Sequence, residues 1–289
     1  MNLPDFDYYA PDSVAEVCQL LSQYGPQAKV IAGGTDLMVK MKHGLLTPKV
    51  LVSLKKLEQL HKIDAVPGKG IVIGARTTHS EIVNSEILQK KYLSVSEAAH
   101  SMAANQVRNA GTIGGNINNA VPSADLPPIL IALGATVKLA SSKGERTITL
   151  EELFVGPGKT VLAQDEIITE ITIPEQEMTG STYLKFGLRR AGALAVVGVA
   201  VAVNVAGGII KDAKVVLGAV APIPMRAKKA EEFLKGKKVS DDVLAEAGVI
   251  ASTECKPISD IRASAEYRAD LVRVFTKRAL RQAIDKGHV

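Results

Sequence analysis

Tryptophan is absent from this chain of 289 residues, and aromatic residues together make up 4% of it. Proteins that bind single-stranded nucleic acid stack the bases on aromatic side chains, so the composition argues against that class. The net charge of +5, from 35 basic and 30 acidic residues, is too small to indicate a DNA-binding surface. We therefore expect no nucleic acid among the partners.

Cysteine is scarce as well, because Cys18 and Cys255 are the two in the chain and lie far apart. Without paired cysteines, the sequence lacks the ligands of a disulfide scaffold, a zinc site or an iron–sulfur cluster of its own. We expect both thiols to be small buried hydrophobic groups in a reducing compartment. The histidines show no metal-ligand spacing, and we expect surface or capping roles and no metal site for His43, His61, His79, His100 and His288.

The N-terminal segment has no apolar stretch of the kind found in signal peptides, and we expect a cytoplasmic protein. Residues 191–210 resemble a membrane span, with one polar residue in twenty. Within them valines alternate with smaller residues, which is the period of a β-strand. The pair Gly207-Gly208 then offers a turn, and "AKVVLGAVA" offers a returning strand. This pattern predicts a hairpin and no membrane span.

The order of patterns predicts an α+β fold in three regions. Residues 1–53 are typical of a small α/β unit that begins with a helix. Ser13 and Glu16 are expected to form a capping box at the start of this helix, and Gly25 is expected to end it. Residues 54–174 read as a larger α+β unit. In it "YLSVSEAAHSMAANQVRNAG" predicts one helix that ends at Gly111.

Residues 175–289 read as a C-terminal domain in which an antiparallel sheet precedes two helices. The spacing of residues in the last helix predicts one apolar face and one basic face, and we expect the basic face to be solvated. The apolar face consists of Val272, Phe275, Ala279 and Ala283, and the basic face consists of Arg273, Lys277 and Arg281.

Two segments share a design in which a Gly-Gly pair is flanked by hydroxyl groups and an aspartate. They are "AGGTDL", residues 32–37, and "GTIGGNINNAVPSAD", residues 111–125. Glycine allows close backbone approach to a ligand, and successive free N–H groups bind anions. Either segment alone is equally compatible with a plain turn. Both together indicate an extended ligand with two phosphates, such as a dinucleotide, to which hydroxyl and amide groups bind from Thr35, Thr112, Asn116 and Ser123.

The standard nucleotide motifs do not fit. The glycines at 111, 114 and 115 do not form Gly-x-Gly-x-x-Gly, and "GPGKT", residues 156–160, lacks the first P-loop glycine because position 153 is Leu. We interpret that segment as a surface turn. No nucleophile elbow or acid–base set is present, which suggests that a cofactor carries the chemistry and that the chain has no catalytic residue.

The two glycine segments together resemble the FAD-binding subunit of the molybdenum hydroxylases, the group of xanthine dehydrogenase, aldehyde oxidase and carbon monoxide dehydrogenase. Residues 156–167 and the pair Lys185 and Arg189 extend the similarity over essentially the whole chain. The resemblance implies a two-part FAD-binding domain followed by a C-terminal domain of antiparallel sheet and helices, which agrees with the three regions above.

The resemblance also implies that both glycine segments enclose the diphosphate of FAD. Met102 and Ile168 carry no signal of their own, because apolar residues there are equally typical of a core. The residues implied to bind FAD are Lys29, Val30, Ile31, Ala32, Gly33, Gly34, Thr35, Asp36, Met102, Thr112, Ile113, Gly114, Gly115, Asn116, Asp125, Ile168 and Lys185, to which the loop chemistry adds Ser123.

The family implies partners too: a subunit with two [2Fe–2S] clusters, a molybdopterin subunit, and an external electron acceptor. The expected function is electron transfer from the clusters through FAD to that acceptor. No cysteine-bearing insertion occurs, which argues against the hydroxybenzoyl-CoA reductase branch. Two alternatives remain open: a free-standing flavin-dependent oxidoreductase, and a non-catalytic nucleotide-binding assembly module.

Overall fold

The computed structural model describes residues 3–189 and 191–286. The N-terminal part forms a sheet of three parallel strands in the order β1-β3-β2, flanked by two helices. The expected first helix is confirmed: the Ser13 hydroxyl accepts from the Glu16 N–H, and Gly25 ends the helix at a φ of 51°. These elements are β1 (Asp7–Tyr9), α1 (Val14–Tyr24), β2 (Ala28–Ile31), α2 (Leu37–Lys42) and β3 (Val50–Ser53).

The predicted capping box at this helix is half wrong. The Glu16 carboxylate accepts from the N–H of Asp12 at 3.1 Å, one residue before the Ser13 N–H that a capping box would use.

The middle part forms an antiparallel sheet in the order β4-β5-β10-β6-β7, covered by short helices. A small hairpin, β8-β9, contains the "GPGKT" segment, whose predicted turn falls at Pro157 and Gly158. The strands are β4 (Ile63–Val66), β5 (Gly70–Gly74), β6 (Thr136–Ser141), β7 (Gly144–Thr149), β8 (Phe154–Gly156), β9 (Lys159–Thr160) and β10 (Ile167–Ile173). The helices are α3 (His79–Asn84), α4 (Glu86–Lys91), α5 (Leu93–His100), α6 (Asn105–Ala110), α7 (Ile113–Asn118), α8 (Leu126–Ala132) and α9 (Leu150–Leu153).

One expectation for this part is wrong. The single helix predicted to end at Gly111 is two helices, α5 and α6, because Ala103 between them has a φ of 41°, which a right-handed helix does not contain. Part of the second glycine segment is helical, because α7 lies inside it. The Thr112 hydroxyl begins α7 by accepting from the Gly115 N–H at 3.2 Å.

The C-terminal part contains an antiparallel sheet in the order β11-β12-β13-β14. The predicted hairpin is confirmed as β12-β13, and Gly207 and Gly208 form its turn with φ angles of 60° and 73°. Among the residues that the structure describes, no helix is long and apolar enough to cross a membrane. The strands are β11 (Gly180–Phe186), β12 (Val197–Ala206), β13 (Ile209–Gly218) and β14 (Met225–Arg226).

Three helices, rather than the expected two, complete this part: α10 (Lys228–Leu234), α11 (Asp241–Glu254) and α12 (Ala265–Lys286). The apolar face of α12 is buried as expected, although Phe275 is only partly covered. The basic face is solvated as expected, and it also pairs with acids, since Lys277 and Arg281, whose side chains are 41% and 39% exposed, contact Asp241. Residues of the C-terminal sheet, including Tyr183 and Val216, also join the core around the middle sheet. The predicted boundaries at 53/54 and 174/175 stay predictions.

Candidate functional site

A cleft of about 660 Å³ lies where the three parts of the chain meet, within the range of about 300–1,000 Å³ that ligand pockets occupy. Both glycine segments line it, as do residues 192–194 that follow β11. Of the residues predicted to bind FAD, the cleft is lined by Lys29 to Asp36, Met102, Thr112, Gly115, Asn116, Ser123 and Asp125. Ile113, Gly114, Ile168 and Lys185 are not part of this lining, and their part in binding stays a prediction.

The first glycine segment connects the end of β2 to the start of α2. A Cβ at Gly33 would lie 1.8 Å from the carbonyl oxygen of Ala110, so glycine is required where this segment touches the end of α6. Gly34 has a φ of 69°. No described residue accepts a hydrogen bond from the main-chain N–H groups of Gly33, Gly34 or Thr35. Such free, successive N–H groups form an anion-binding surface.

The second segment presents two adjacent glycines with different roles. Gly114 donates its N–H to the Ala75 carbonyl at 3.0 Å, and a Cβ there would lie 2.7 Å from the same oxygen. Gly115 lines the cleft, and the Thr112 hydroxyl, at 3.0 Å, is the one atom within 4 Å of a Cβ added there. Gly114 therefore serves packing, whereas Gly115 leaves room in the cleft.

Asn116 and Met102 form part of the wall near the turn between α5 and α6. The Asn116 amide nitrogen lies 3.5 Å from the Met102 sulfur. The Asn116 side-chain oxygen is buried and accepts no hydrogen bond from any described residue. A buried polar atom without a partner is costly, so this oxygen is suited to accept a hydrogen bond from a ligand.

His79 contradicts the expectation of a surface role. It is the first residue of α3, but it is 4% exposed and lines the cleft. Burial, with a smaller contribution from the positive charge of Arg108, lowers the pKa of His79 to about 4. The imidazole is therefore neutral at pH 7 and a weak base.

Asp125 is buried in a network with two residues of β11. Its carboxylate accepts from the Tyr183 hydroxyl and from the Lys185 ammonium, each at 2.8 Å. Lys185 also donates to the Ser101 carbonyl at 3.1 Å. Burial raises the pKa of Asp125, while the donors Lys185 and Tyr183 oppose that rise. Lys185 thus reaches the cleft through Asp125, and the network joins the cleft to the C-terminal sheet.

Two cationic residues of the cleft escaped the sequence argument. Lys40 of α2 donates to the Asn119 side chain at 2.7 Å, and Arg108 of α6 lies beside Met102. Each stands within eight residues of a Gly-Gly pair, which is the signal that sequence reasoning could have used. Among the described residues, no group of three or more His, Cys, Asp or Glu side chains is placed to hold a metal ion.

Comparison with known proteins identifies the family. Residues 4–176 match the FAD binding domain in molybdopterin dehydrogenase, and residues 182–283 match the CO dehydrogenase flavoprotein C-terminal domain. The chain is 33% identical to the glyceraldehyde dehydrogenase medium chain of Sulfolobus acidocaldarius, covering 98% of this chain and 99% of that one. It is 35% identical to the nicotine 6-hydroxylase medium subunit of Paenarthrobacter nicotinovorans, with coverages of 98% and 99%.

A solved structure of carbon monoxide dehydrogenase from Hydrogenophaga pseudoflava contains a chain that superposes with a TM-score of 0.95. That chain is 34% identical to this one, and the match covers 99% of each. Both the resemblance seen in the sequence and the α+β fold are therefore confirmed. The chain belongs to the FAD-binding medium subunits of the molybdenum hydroxylase family, and it is an oxidoreductase subunit whose cofactor is FAD.

Proposed function

We propose that this subunit accepts electrons from the [2Fe–2S] clusters of a partner subunit and passes them through FAD to an external acceptor. A molybdopterin subunit of the same complex would supply those electrons by oxidising the substrate. The observation that carries the proposal is the cleft between the two glycine segments, in a chain that matches medium subunits over nearly its whole length.

The cleft fits FAD in the chemistry of its lining. Free N–H groups at Gly33, Gly34 and Thr35 suit the diphosphate. The unpartnered oxygen of Asn116 suits a hydroxyl of the ribityl chain or ribose. The bare Cα of Gly115 leaves space for close approach.

The charges around the cleft are consistent with this assignment. Lys29 and Lys40 line it, and their positive charges favour the two negative charges of a diphosphate. Asp36 and Asp125 are acidic members of the lining, and the charge of Asp125 is balanced by Lys185.

FAD supplies the redox chemistry, because a flavin takes up electrons singly and releases them as a pair. The side chains of the cleft have no evident part in proton transfer. His79 is buried and neutral, and the Asp125 carboxylate is bound by two donors within its own chain. We therefore assign to this subunit the tasks of holding FAD, orienting it and shielding it from water.

The iron–sulfur clusters are assigned to a partner because a [2Fe–2S] cluster requires about four protein ligands, usually cysteines. This chain has two cysteines, both free thiols in different parts of the fold. A cytoplasmic location stays a prediction, consistent with free thiols in a reducing compartment.

Substrate choice is also assigned to a partner. The relatives are named for glyceraldehyde and nicotine, yet each matches this chain at 33–35% identity over its full length. The same flavin subunit design therefore accompanies chemically different substrates.

The first test is the visible absorption spectrum of the purified chain, before and after addition of FAD. Flavin bands that survive desalting, with FAD rather than FMN released on denaturation, are the expected result. Gly115→Val is expected to abolish FAD binding while the fold is kept, because a branched side chain there enters the cleft and blocks close approach to the backbone. If that variant retained FAD at the affinity of the unmodified chain, the assignment of the second glycine segment would be wrong.

The alternatives are separated by mixing the chain with the [2Fe–2S] subunit. A relay subunit forms a stable complex on size-exclusion chromatography, and its FAD is reduced when the clusters are reduced. A free-standing flavin oxidoreductase holds FAD but need not associate. A non-catalytic assembly module associates but holds no FAD even within the complex.

A further inference from the structure

The turn between α5 and α6 forms the apolar end of the cleft. Met102 and Ala103 in this turn line the cleft together with Val107 of α6 and Leu194 of the segment after β11. The turn has an unfavourable backbone, because Ala103 adopts a φ of 41° without being glycine. Such a conformation persists only where the surroundings hold it in place.

Arg108, in α6, holds the Met102–Ala103 turn in place. One nitrogen of its guanidinium donates to the Met102 carbonyl at 2.5 Å and to the Ala103 carbonyl at 3.3 Å. The other terminal nitrogen donates to the side chain of Asn105. The planar fork of arginine suits this arrangement, whereas a lysine ammonium lacks the fork.

The same turn also fixes the facing wall. The N–H of Gly192 donates to the Ala103 carbonyl at 3.2 Å, so residues 192–194 are tied to the turn that Arg108 holds. Both apolar walls at this end of the cleft therefore depend on one guanidinium.

We infer that Arg108 is a positioning residue for the isoalloxazine ring of FAD, through the Met102–Ala103 turn against which the ring packs. The glycine segments provide N–H groups for the diphosphate, and the apolar end provides the surface that a flat aromatic ring buries. The inference rests on the proposed FAD site. It adds Arg108, which contacts the backbone of the turn rather than the reacting ring.

The test compares Arg108→Met with Arg273→Met in the full chain. Arg273 is a matched control because its guanidinium also binds a residue of its own helix, Asp270, but on the exposed face of α12. Affinities for FAD and for ADP are measured by calorimetry, and the visible circular dichroism of bound flavin is recorded. ADP contains the diphosphate but no flavin ring.

Loss of the Arg108 hydrogen bonds to the turn is expected to weaken FAD binding about tenfold, about the size of one charge-assisted hydrogen bond. ADP affinity should stay within about twofold, and the flavin dichroism should change, because only the ring loses its fixed wall. Arg273→Met should match the unmodified chain in all three measurements.

Unchanged FAD affinity with unchanged dichroism would overturn the inference. Equal losses for FAD and ADP would also overturn it, since they indicate general damage rather than a local effect at the ring. Where Arg108→Met does not fold, Arg108→Lys is judged by the same criteria. Failure of the unmodified chain to bind FAD is a separate result, which overturns the proposed site and the inference with it.

Discussion

Replacing Gly114 or Gly115 by alanine separates the packing role of α7 from its role in FAD binding. Both glycines lie in the same helix, so both substitutions remove the same unfavourable helix propensity. At Gly114 the new methyl group would lie 2.7 Å and 2.8 Å from the carbonyl oxygen and Cβ of Ala75. At Gly115 it would meet only the Thr112 hydroxyl, at 3.0 Å, and would enter the cleft.

The opposing contributions can be weighed. Alanine stabilises a helix interior over glycine by about 0.8–1.0 kcal/mol. Overpacking against fixed backbone costs about 1–3 kcal/mol, and Ala75 is fixed by its N–H bond to the Thr169 carbonyl. Gly114→Ala is therefore expected to lower the free energy of unfolding by about 1 kcal/mol. For Gly115→Ala the helix gain is offset by strain on the Thr112 cap, whose complete loss costs about 1 kcal/mol. We expect almost no net change in stability for that variant.

Urea unfolding of the FAD-free chains measures stability, and titration with FAD measures affinity. The FAD-free state is required because a bound ligand adds its own stabilisation. Gly114→Ala should be the less stable variant with near-normal FAD affinity, and Gly115→Ala the stable variant with reduced affinity. The opposite pattern, in which Gly115→Ala unfolds more easily and Gly114→Ala loses FAD, would refute the assignment of the two glycines.

Three further predictions concern His79, the pair of Asp125 and Lys185, and Gly33. The pKa of His79 is about 4 in the folded chain and 6.5 in the unfolded chain. Because the unfolded chain takes up the proton first, the free energy of unfolding falls as the pH is lowered below 6.5. The loss is about 2 kcal/mol between pH 7 and 5. Urea unfolding at several pH values measures this loss. His79→Gln should remove it, whereas the exposed control His100→Gln should keep it. Equal pH profiles for the two variants would contradict the assignment of the loss to His79. Lys185→Met should cost about 3 kcal/mol, because the buried Asp125 loses its counter-charge, and adding Asp125→Asn should recover part of that cost. Thermal unfolding of the single and double variants checks this, and no recovery would mean that the charge pair is not the cause. Gly33→Ala should weaken FAD binding by pushing the first glycine segment away from Ala110 at the end of α6, and unaltered affinity in a fluorescence titration would show that this contact is not needed.

Much of the fold follows from local patterns. The alternation of valines before Gly207-Gly208 is sufficient for a strand and a two-residue turn, because both depend on side-chain period and on φ at adjacent residues. The first helix likewise follows from Ser13, the apolar face and Gly25. The glycine segments indicated a dinucleotide from residue types alone, and the family resemblance then specified FAD.

Local patterns failed where distant groups decide the outcome. Residues 92–111 have a helical pattern throughout, but the carbonyls of Met102 and Ala103 bind Arg108 and so leave the helix. His79 has the sequence context of a helix start, and only the packing of α6 and the second glycine segment against it reveals its burial.

The sequence by itself determined which segments carry small and hydrogen-bonding residues, because those depend on residue type. Tertiary structure alone decided which neighbours each of those residues meets. Gly114 and Gly115 are indistinguishable in sequence, yet Ala75 occupies the space beside one and the cleft lies beside the other. In the same way the pairing of Asp125 with Lys185 across sixty residues depends on β11 lying beside the second glycine segment, a contact that arises only when the chain packs into one core.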